Sequence, residues 1–536
     1  MADAPIQEPG NAPAVRNGLA LAAAIVAIGF AGSRLLGILR TVAIARAFGS
    51  SPELDAYWVA FRVPDLIFQV LAGATLGSAF IPVFIRLYRR ESEARAWQLA
   101  NTVLTMVAAA TAALCVLGFL LAPVLVPMLA PGLGDDIGRH DELTDKAVSL
   151  TRFMLLSPML FAISGMVTGI LNARQRFLLP ALAPILYNLA IIFGALVLAG
   201  PFGVEGLAAG VVLGAALHLA VQIPGLVRER MPYRPSFDWQ DAAVREVGRL
   251  MGPRVIGLAA AQVNFLITTI FASRIGSGAI ANLNYAFLVA QLPLAIFGMT
   301  ISTAVFPTLA ENMADDALEQ MRRTISRALR AIMFLTIPAT LGLVMLREPV
   351  TVTLLQRGEF SSLDAAVTAS ALGWYCLGII PQAGIEIHSR AFYARGDTRT
   401  PVLLAVAAVL LNLVLSAALW SRFEMEGLAF AVSASSWLEW GVLYVLYVRA
   451  VQDRPEADLA AIARYTLCGA FMALFLAVSL ALFRGETRLD MLLQAAAGTV
   501  AGAAVYHALA ALFRVEDFVA HSSRITGGIL RRFGRG

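Results

Sequence analysis

Long apolar runs are the feature that most constrains this chain. The 536-residue sequence is a succession of largely uncharged stretches, separated by short segments rich in arginine, glycine or proline. A helix of about 20 apolar residues crosses the roughly 30 Å of hydrocarbon in a bilayer. None of the runs alternates with the period of two that a transmembrane strand requires. The sequence therefore predicts an all-α integral membrane protein.

The runs predict about fourteen transmembrane helices. Hydrophobic residues make up 59% of the chain and charged residues 14%, whereas soluble domains carry roughly 25% charge. The predicted spans are 17–46, 56–86, 98–128, 147–171, 178–199, 204–227, 250–274, 279–309, 325–346, 366–392, 401–420, 427–448, 462–483 and 490–513. The predicted divisions are a tail (1–16), a six-helix lobe (17–228), a second lobe with a preceding cytoplasmic segment (229–449), two further helices (450–513) and a basic tail (514–536).

The arginine-rich connections predict the orientation in the membrane. Arginines crowd three connections: Arg86, Arg89, Arg90 and Arg95; Arg174 and Arg176; and Arg390, Arg395 and Arg399. Such loops are typically cytoplasmic, and an even number of helices then places both termini in the cytoplasm. The same rule accounts for the net charge of +5, so no nucleic-acid partner is expected. No cleaved signal peptide is expected either.

An internal repeat relates the two sets of six helices. Ala173 and Arg174 match Ala394 and Arg395, and 394 minus 173 gives an offset of 221. The same offset relates Pro180 to Pro401, and the run Glu-Gly-Leu-Ala at 205–208 to the same run at 426–429. Several matches at one offset indicate a repeat. Because six helices separate the copies, the lobes have the same orientation, as in transporters built from parallel repeats.

The sequence carries no motif of ATP hydrolysis or hydrolase chemistry, and we expect a protein that is not an enzyme and needs no cofactor or metal. The acidic loop around Asp135, Asp136 and His140 matches no metal-ligand spacing and is expected to be a solvated, inert connection. Three cysteines lie inside apolar runs and are expected to be buried small hydrophobes, namely Cys115, Cys376 and Cys468.

The first helix continues through Arg34, Arg40 and Arg46 after an uncharged stretch that is barely long enough to span. An arginine at membrane depth costs about 2.5 to 3.5 kcal/mol, so it normally faces a cavity or a partner. At about 100° per residue, Arg34 and Arg40 point some 120° apart and suit a broad anionic head group. Arginine binds phosphate with a bidentate fork. The alternative is that these side chains extend to the interface.

Two further charged groups lie within predicted helices. In the second helix, Arg62 and Asp65 form either a local ion pair or a substrate contact, and the sequence leaves both open. In the tenth helix, the group of Glu386, His388 and Arg390 is interpreted as a structural patch in preference to a proton relay. Uncharged polar residues elsewhere in the spans, such as Asn188 and Gln222, are expected to bind neighbouring helices.

Longer motifs resemble one known family. They comprise Ser33 to Gly37 with Arg40; Ala45, Arg46, Phe48 and Gly49; Asp55, Ala56 and Val59 to Phe61; Gly169 to Asn172 with Arg176, Phe177 and Pro180; Gly252, Pro253 and Gln262; and Phe392, Tyr393, Arg395, Asp397, Thr400 and Pro401. From Gly32 to the end of the twelfth helix, the chain resembles the MurJ (MviN) lipid II flippases of the MOP exporter superfamily.

The resemblance implies fourteen helices, a cationic cavity between two lobes, and a final helix pair that holds a lipid tail. It implies a flippase of the bacterial inner membrane that turns undecaprenyl-diphosphate-linked peptidoglycan precursor to the outer leaflet by alternating access. Membrane lipids and the cell-wall synthesis machinery would be partners. Arg34 and Arg40 would face the cavity, with Arg62 as a further substrate-binding residue. Ala45 and Asp55 would belong to the outer gate.

Two departures from the family pattern affect the expected cavity. Phe68 and Leu288 stand where the family usually has arginines, and Gly73 and Gln291 replace nearby acidic residues. The head group therefore stays open between lipid II and another polyprenyl-linked saccharide. A MOP-type antiporter would need an intramembrane carboxylate, for which Glu386 and Glu439 are the candidates. A non-transporting membrane scaffold is the alternative from a different class.

Overall fold

A computed structural model describes residues 12–72, 74–314, 317–451, 456–483, 485 and 487–513. Of the two predicted tails, residues 1–11 and 514–536 lie outside this description, and residues 12–16 already belong to the first helix. The helices are α1 (Ala12–Phe48), α2 (Pro52–Ile67), α3 (Ala74–Arg90), α4 (Glu93–Leu129), α5 (His140–Met154), α6 (Leu156–Ala173), α7 (Leu178–Phe193), α8 (Ala199–Ala220), α9 (Ile223–Arg228), α10 (Ala242–Ala272), α11 (Ala279–Pro293), α12 (Met299–Ala314), α13 (Leu318–Met345), α14 (Arg347–Leu355), α15 (Ser362–Cys376), α16 (Ile379–Ala394), α17 (Arg399–Val451), α18 (Glu456–Leu482) and α19 (Arg488–Leu512).

Fourteen membrane crossings follow from these elements. Ten helical stretches in the described part of the chain are long and apolar enough to span, and two of them, Leu178–Arg228 and Arg399–Val451, have 51 and 53 residues. At 1.5 Å per residue these exceed about 75 Å, far more than one bilayer needs. Each breaks at one residue with non-helical angles, Gly203 and Glu424, and so supplies two crossings. The pair α2–α3 and helix α10 complete the fourteen that the sequence predicts.

The backbone repeats with the offset found in the sequence. Gly203 has φ 58° and Glu424 has φ 47°, and 424 minus 203 is 221. Gln175 at φ 59° and Gly396 at φ 78° are separated by the same number of residues. A π-helical turn also interrupts the second crossing of each set of six, at Phe68–Ala72 and Leu294–Gly298. The unusual backbone angles therefore recur at the offset of the sequence repeat, which confirms the predicted repeat.

The described chain forms two compact units. The first contains the residues up to 47 together with 56–128 and 141–259, and the second contains Phe48–Asp55, Leu129–His140 and the residues from 260 onward. The predicted lobes followed the chain without interruption and met at residue 228. Two short connections of the first lobe instead belong to the second unit, and continuity along the chain could not indicate this. The functional division into lobes stays a prediction.

Small residues allow close helix packing inside the first unit. Gly206 and Gly210 lie four residues apart in α8, and a Cβ added to Gly210 would come 2.9 Å from the carbonyl oxygen of Ala190 in α7. This close approach of two backbones is typical of membrane helices, where association depends on van der Waals packing. The three cysteines are free and buried, as the sequence predicts.

Candidate functional sites

Arg40 lies in a charged cluster within the first unit. Its side chain is half-buried, and its charge acts on Asp65 of α2 and on the hydroxyls of Tyr57 and Tyr187. Arg62 acts on the same carboxylate, which also forms a hydrogen bond with Gln69. Two guanidinium groups and one carboxyl group therefore lie near one another, so positive charges outnumber negative ones in this cluster.

The helical spacing of α2 explains this arrangement. Arg62, Asp65 and Gln69 recur at intervals of three and four residues, which places them on one helix face. The sequence left Arg62 and Asp65 open between an ion pair and a substrate contact, and the structure shows their electrostatic interaction. Sequence reasoning missed Tyr57 and Tyr187, because a single aromatic residue in an apolar run carries no signal of its orientation.

Arg34 lies apart from this cluster. Its side chain is exposed, and its guanidinium carbon lies 5.1 Å from the ring centroid of Phe30. A cation–π contact at an exposed position contributes about 0.5 to 1 kcal/mol. The structure thus groups Arg40 with Arg62 and places Arg34 about 9 Å earlier along α1. The substrate-binding roles of all three stay predictions.

The two positions that lack the expected arginines have different surroundings. The Phe68 ring lies 4.9 Å from the ring of Phe161 and packs against the core of the first unit. Leu288 in α11 is 36% exposed, and Gln291 is half-buried. Gly73 lies outside the described residues. Aromatic packing therefore occupies the place of one expected arginine. The phenyl ring of Phe68 has no hydrogen-bond donor, so it cannot bind an anion as an arginine would.

Asp55 is a buried carboxylate that caps the first turn of α11 within the second unit. One carboxylate oxygen accepts a 2.6 Å hydrogen bond from the Gly278 amide, and the other accepts a 2.8 Å bond from the Ala281 amide. The first amides of a helix have no partner within the helix, and the helix dipole also favours a negative charge there. Ala45, the other predicted gate residue, is completely buried.

The rest of the 48–55 segment is bound to the same unit. Tyr285 donates a 3.0 Å hydrogen bond to the Gly49 carbonyl, and Ser50 donates to the amide oxygen of Asn282. Thr368 donates to that same oxygen at 2.9 Å. Gly49 has φ 58°, and a Cβ there would collide with the backbone of Glu359, so only glycine fits this position.

The acidic loop makes defined contacts, Asp135 and Asp136 are exposed to solvent as the sequence predicts, and the expectation that the loop is inert stays a prediction. Asp136 accepts hydrogen bonds from the backbone amide and hydroxyl of Ser277, at 2.9 and 2.8 Å. Gly132 packs so closely that an added Cβ would lie 2.7 Å from the Ser273 carbonyl oxygen. Gly132 and Gly134 are buried, so this part of the connection is packed and not solvated. Among the described residues no cluster of three potential metal ligands occurs.

Polar residues within the spans mostly connect helices, as predicted. Gln222 donates a 2.8 Å hydrogen bond to Ser164 and accepts a 2.8 Å bond from Thr168. In the tenth crossing, Arg390 lies 3.3 Å from Glu386 and the buried His388 is bound to the Gly384 carbonyl of its own helix. These contacts agree with the interpretation of this group as a structural patch.

The chain is all-α, crosses the membrane many times, contains two six-helix repeats and carries arginines within its spans. These are the features of multi-pass membrane transporters. Residues 44–495 match the sequence model of the family described as "Lipid II flippase MurJ". The chain therefore belongs to the MurJ family.

Individual relatives agree with this assignment. The Burkholderia cenocepacia "Lipid II flippase MurJ" is 31% identical over 71% of this chain and 74% of its own length. The Buchnera aphidicola "Probable lipid II flippase MurJ" is 29% identical over 84% and 88%. A solved structure titled "Lipid II flippase MurJ, inward closed conformation" matches with a TM-score of 0.78 at 24% identity, covering 91% of this chain and 98% of that one.

The fold is shared more widely. An inward-facing multidrug-resistance MATE transporter of the MOP superfamily matches with a TM-score of 0.64 at 15% identity, over 78% of this chain and 94% of that one. At this identity the likeness concerns the fold alone.

Proposed function

We propose that this protein is a flippase that moves lipid II from the inner to the outer leaflet for cell-wall synthesis. Membership of the MurJ family is the observation that carries this proposal. The cluster of Arg40, Arg62 and Asp65 supports it, because a net cation inside a membrane protein suits a diphosphate and costs too much to be kept without use.

Arg40 and Arg62 are proposed to contact the diphosphate, with Arg34, about 9 Å away along α1, as a further contact of the head group. Asp65 would hold both guanidinium groups in place before substrate arrives. With Phe68 and Leu288 apolar, fewer arginines share the head group, and each should matter more. The phosphates would then compete with Asp65 for the same N–H groups, which keeps binding reversible.

The 48–55 segment is proposed to close the outer end of the pathway. Its contacts with α11 would have to break when that end opens, and Asp55 would re-form them when it closes. The protein would lie in the inner membrane of a bacterium. Both termini would face the cytoplasm, since the arginine-rich connections indicate that orientation. Transport would require no catalysis by the chain, and cell-wall synthesis enzymes would be the partners that receive the product.

Complementation tests the function, together with measurement of substrate in the outer leaflet. Cells depleted of their own lipid II flippase should grow when they express this chain, and Arg40→Ala should abolish growth. Arg422→Ala, which removes an exposed arginine at the break in α17, is the matched control and should complement. Failure of the unaltered protein at normal membrane levels would favour a different polyprenyl-linked saccharide. Drug export that depends on Glu439 would favour an antiporter.

A further inference from the structure

The connection between α9 and α10 carries a feature that flipping does not require. Residues 229–241, here called the strap, contain three strongly exposed aromatic side chains. Tyr233 is 54% exposed, Phe237 is 63% exposed and Trp239 is 66% exposed. Aromatic side chains in water contribute no burial energy to folding. A cluster of exposed ones therefore indicates a surface that binds something outside this chain.

The strap is held in one place by its ends. Glu229 lies 2.6 Å from Arg174 and 3.0 Å from Arg176, and Asp241 lies 2.7 Å from Arg95. Asp241 also accepts a 2.8 Å hydrogen bond from the Ala243 amide and so caps the start of α10. The strap therefore has a fixed path, and its exposed side chains have defined positions.

Hydrogen bonds to α4 set the depth of the strap. Asn101 donates to the Pro232 carbonyl at 2.8 Å, Thr102 donates to Ser236 at 3.0 Å, and the Ser236 amide donates to Thr105 at 3.4 Å. These partners lie about 12 to 18 Å along α4 from its first residue. The 37 residues of α4 span about 55 Å, which exceeds the hydrocarbon thickness by about 25 Å. With this excess shared equally by the two ends of α4, the hydrocarbon begins about 12 Å along the helix, at the level of the strap.

The charges that face outward from the strap are mainly positive. The ion pairs to Arg174, Arg176 and Arg95 neutralise Glu229 and Asp241. Arg228, Arg230 and Arg234 are exposed, and Asp238 is the exposed acidic residue among them. Aromatic rings at the interface with arginines beside them are the combination that binds a lipid surface carrying negative charge.

We propose that the strap is a lipid-binding element that docks on anionic phospholipid head groups, with Phe237 and Trp239 inserted at the level of the upper acyl chains. Arg230 and Arg234 bind the lipid phosphates. The leaflet is the one on the side of the arginine-rich connections. The strap thereby fixes the positions of the α9 and α10 ends against the membrane surface, independently of the substrate.

Fluorescence quenching tests this placement. A Phe237→Cys variant is labelled with the environment-sensitive dye NBD, since the native cysteines are buried. It is reconstituted in vesicles that contain brominated phosphatidylglycerol or brominated phosphatidylcholine at equal mole fraction. We expect stronger quenching by the brominated phosphatidylglycerol, because each arginine near an anionic surface changes partitioning by about fivefold.

Charge variants separate lipid recognition from simple proximity. In the Arg230→Gln/Arg234→Gln background, the preference for phosphatidylglycerol should disappear. The control Arg422→Gln/Arg488→Gln removes two exposed arginines elsewhere and should keep the preference. Equal quenching by both lipids in the unaltered background would overturn the proposal. Absence of quenching by either would overturn it as well and would assign the aromatic side chains to water or to a protein partner.

Discussion

The capping of α11 by Asp55 leads to a quantitative prediction about the outer gate. In Asp55→Asn, one oxygen can still accept a hydrogen bond, but the amide group replaces the other acceptor and faces a backbone N–H. A buried donor left without an acceptor costs about 1 to 3 kcal/mol, and loss of a helix cap costs about 1 kcal/mol. The substitution should therefore destabilise the bound form of the 48–55 segment by about 2 kcal/mol.

A free-energy change of this size should be visible as exposure of a buried position. About 2 kcal/mol corresponds to a roughly 30-fold increase in the population of forms in which the segment is released. Leu54 lies in the segment and is completely buried, so Leu54→Cys reports on this release through its rate of reaction with a membrane-impermeant maleimide. The rate should rise by about the same factor when Asp55→Asn is added to the Leu54→Cys background.

The matched control is Glu53→Gln in the same background. Glu53 lies in the same segment and undergoes the same change from carboxyl to amide, but its ion pair with Arg139, at 2.8 Å, is partly exposed. Exposed pairs contribute at most about 1 kcal/mol, so the labelling rate should rise by less than about fivefold. An equal rate for Asp55→Asn and Glu53→Gln would refute the assignment of Asp55 as the residue that holds the segment.

Four further predictions concern other parts of the chain. Arg40→Ala should reduce substrate appearance in the outer leaflet more than Arg34→Ala. Arg40 is half-buried in the cluster, so its truncation should cost about 2 to 5 kcal/mol of substrate binding. Equal effects of the two variants would contradict this. Arg40→Lys should also be impaired in the same assay, since an ammonium lacks the bidentate fork. Glu424→Gly should raise the melting temperature, as glycine relieves about 1 kcal/mol of strain at φ 47°; an unchanged value would show that the angle is not strained. Glu229→Gln should lower the free energy of unfolding by about 1 to 2 kcal/mol at neutral pH.

The last prediction has a defined pH dependence. Burial alone would raise the pKa of Glu229, but hydrogen bonds from Arg174 and Arg176 hold its pKa below the ordinary value. A lowered pKa in the folded state means that the carboxylate stabilises the fold above the unfolded pKa of about 4.3. This stabilisation is lost as the pH falls through the folded pKa. The difference between Glu229→Gln and the unaltered protein should therefore shrink in acid, and a difference that persists there would contradict the ion-pair account.

The membrane architecture could be predicted from the sequence because it depends on local properties. The cost of placing polar groups in hydrocarbon acts on each segment separately, so apolar length alone indicates a span. The repeat was also visible, since the offset of 221 residues relates the Glu-Gly-Leu-Ala runs as well as the backbone angles at Gly203 and Glu424. In the acidic loop the sequence indicates the exposure of Asp135 and Asp136, but not the close packing of Gly132 against Ser273.

Only the tertiary structure decided which groups meet. The sequence singled out Arg40, Asp55 and Asp65, but their partners Tyr187 and Gly278 are more than a hundred residues away in the chain. In a membrane helix an apolar residue can face lipid or protein with similar free energy, so hydropathy does not determine how a helix is rotated. Contacts between distant helices then fix the rotation. This is why the spans follow from the sequence, whereas the capping of α11 by Asp55 and the path of the strap required the folded chain.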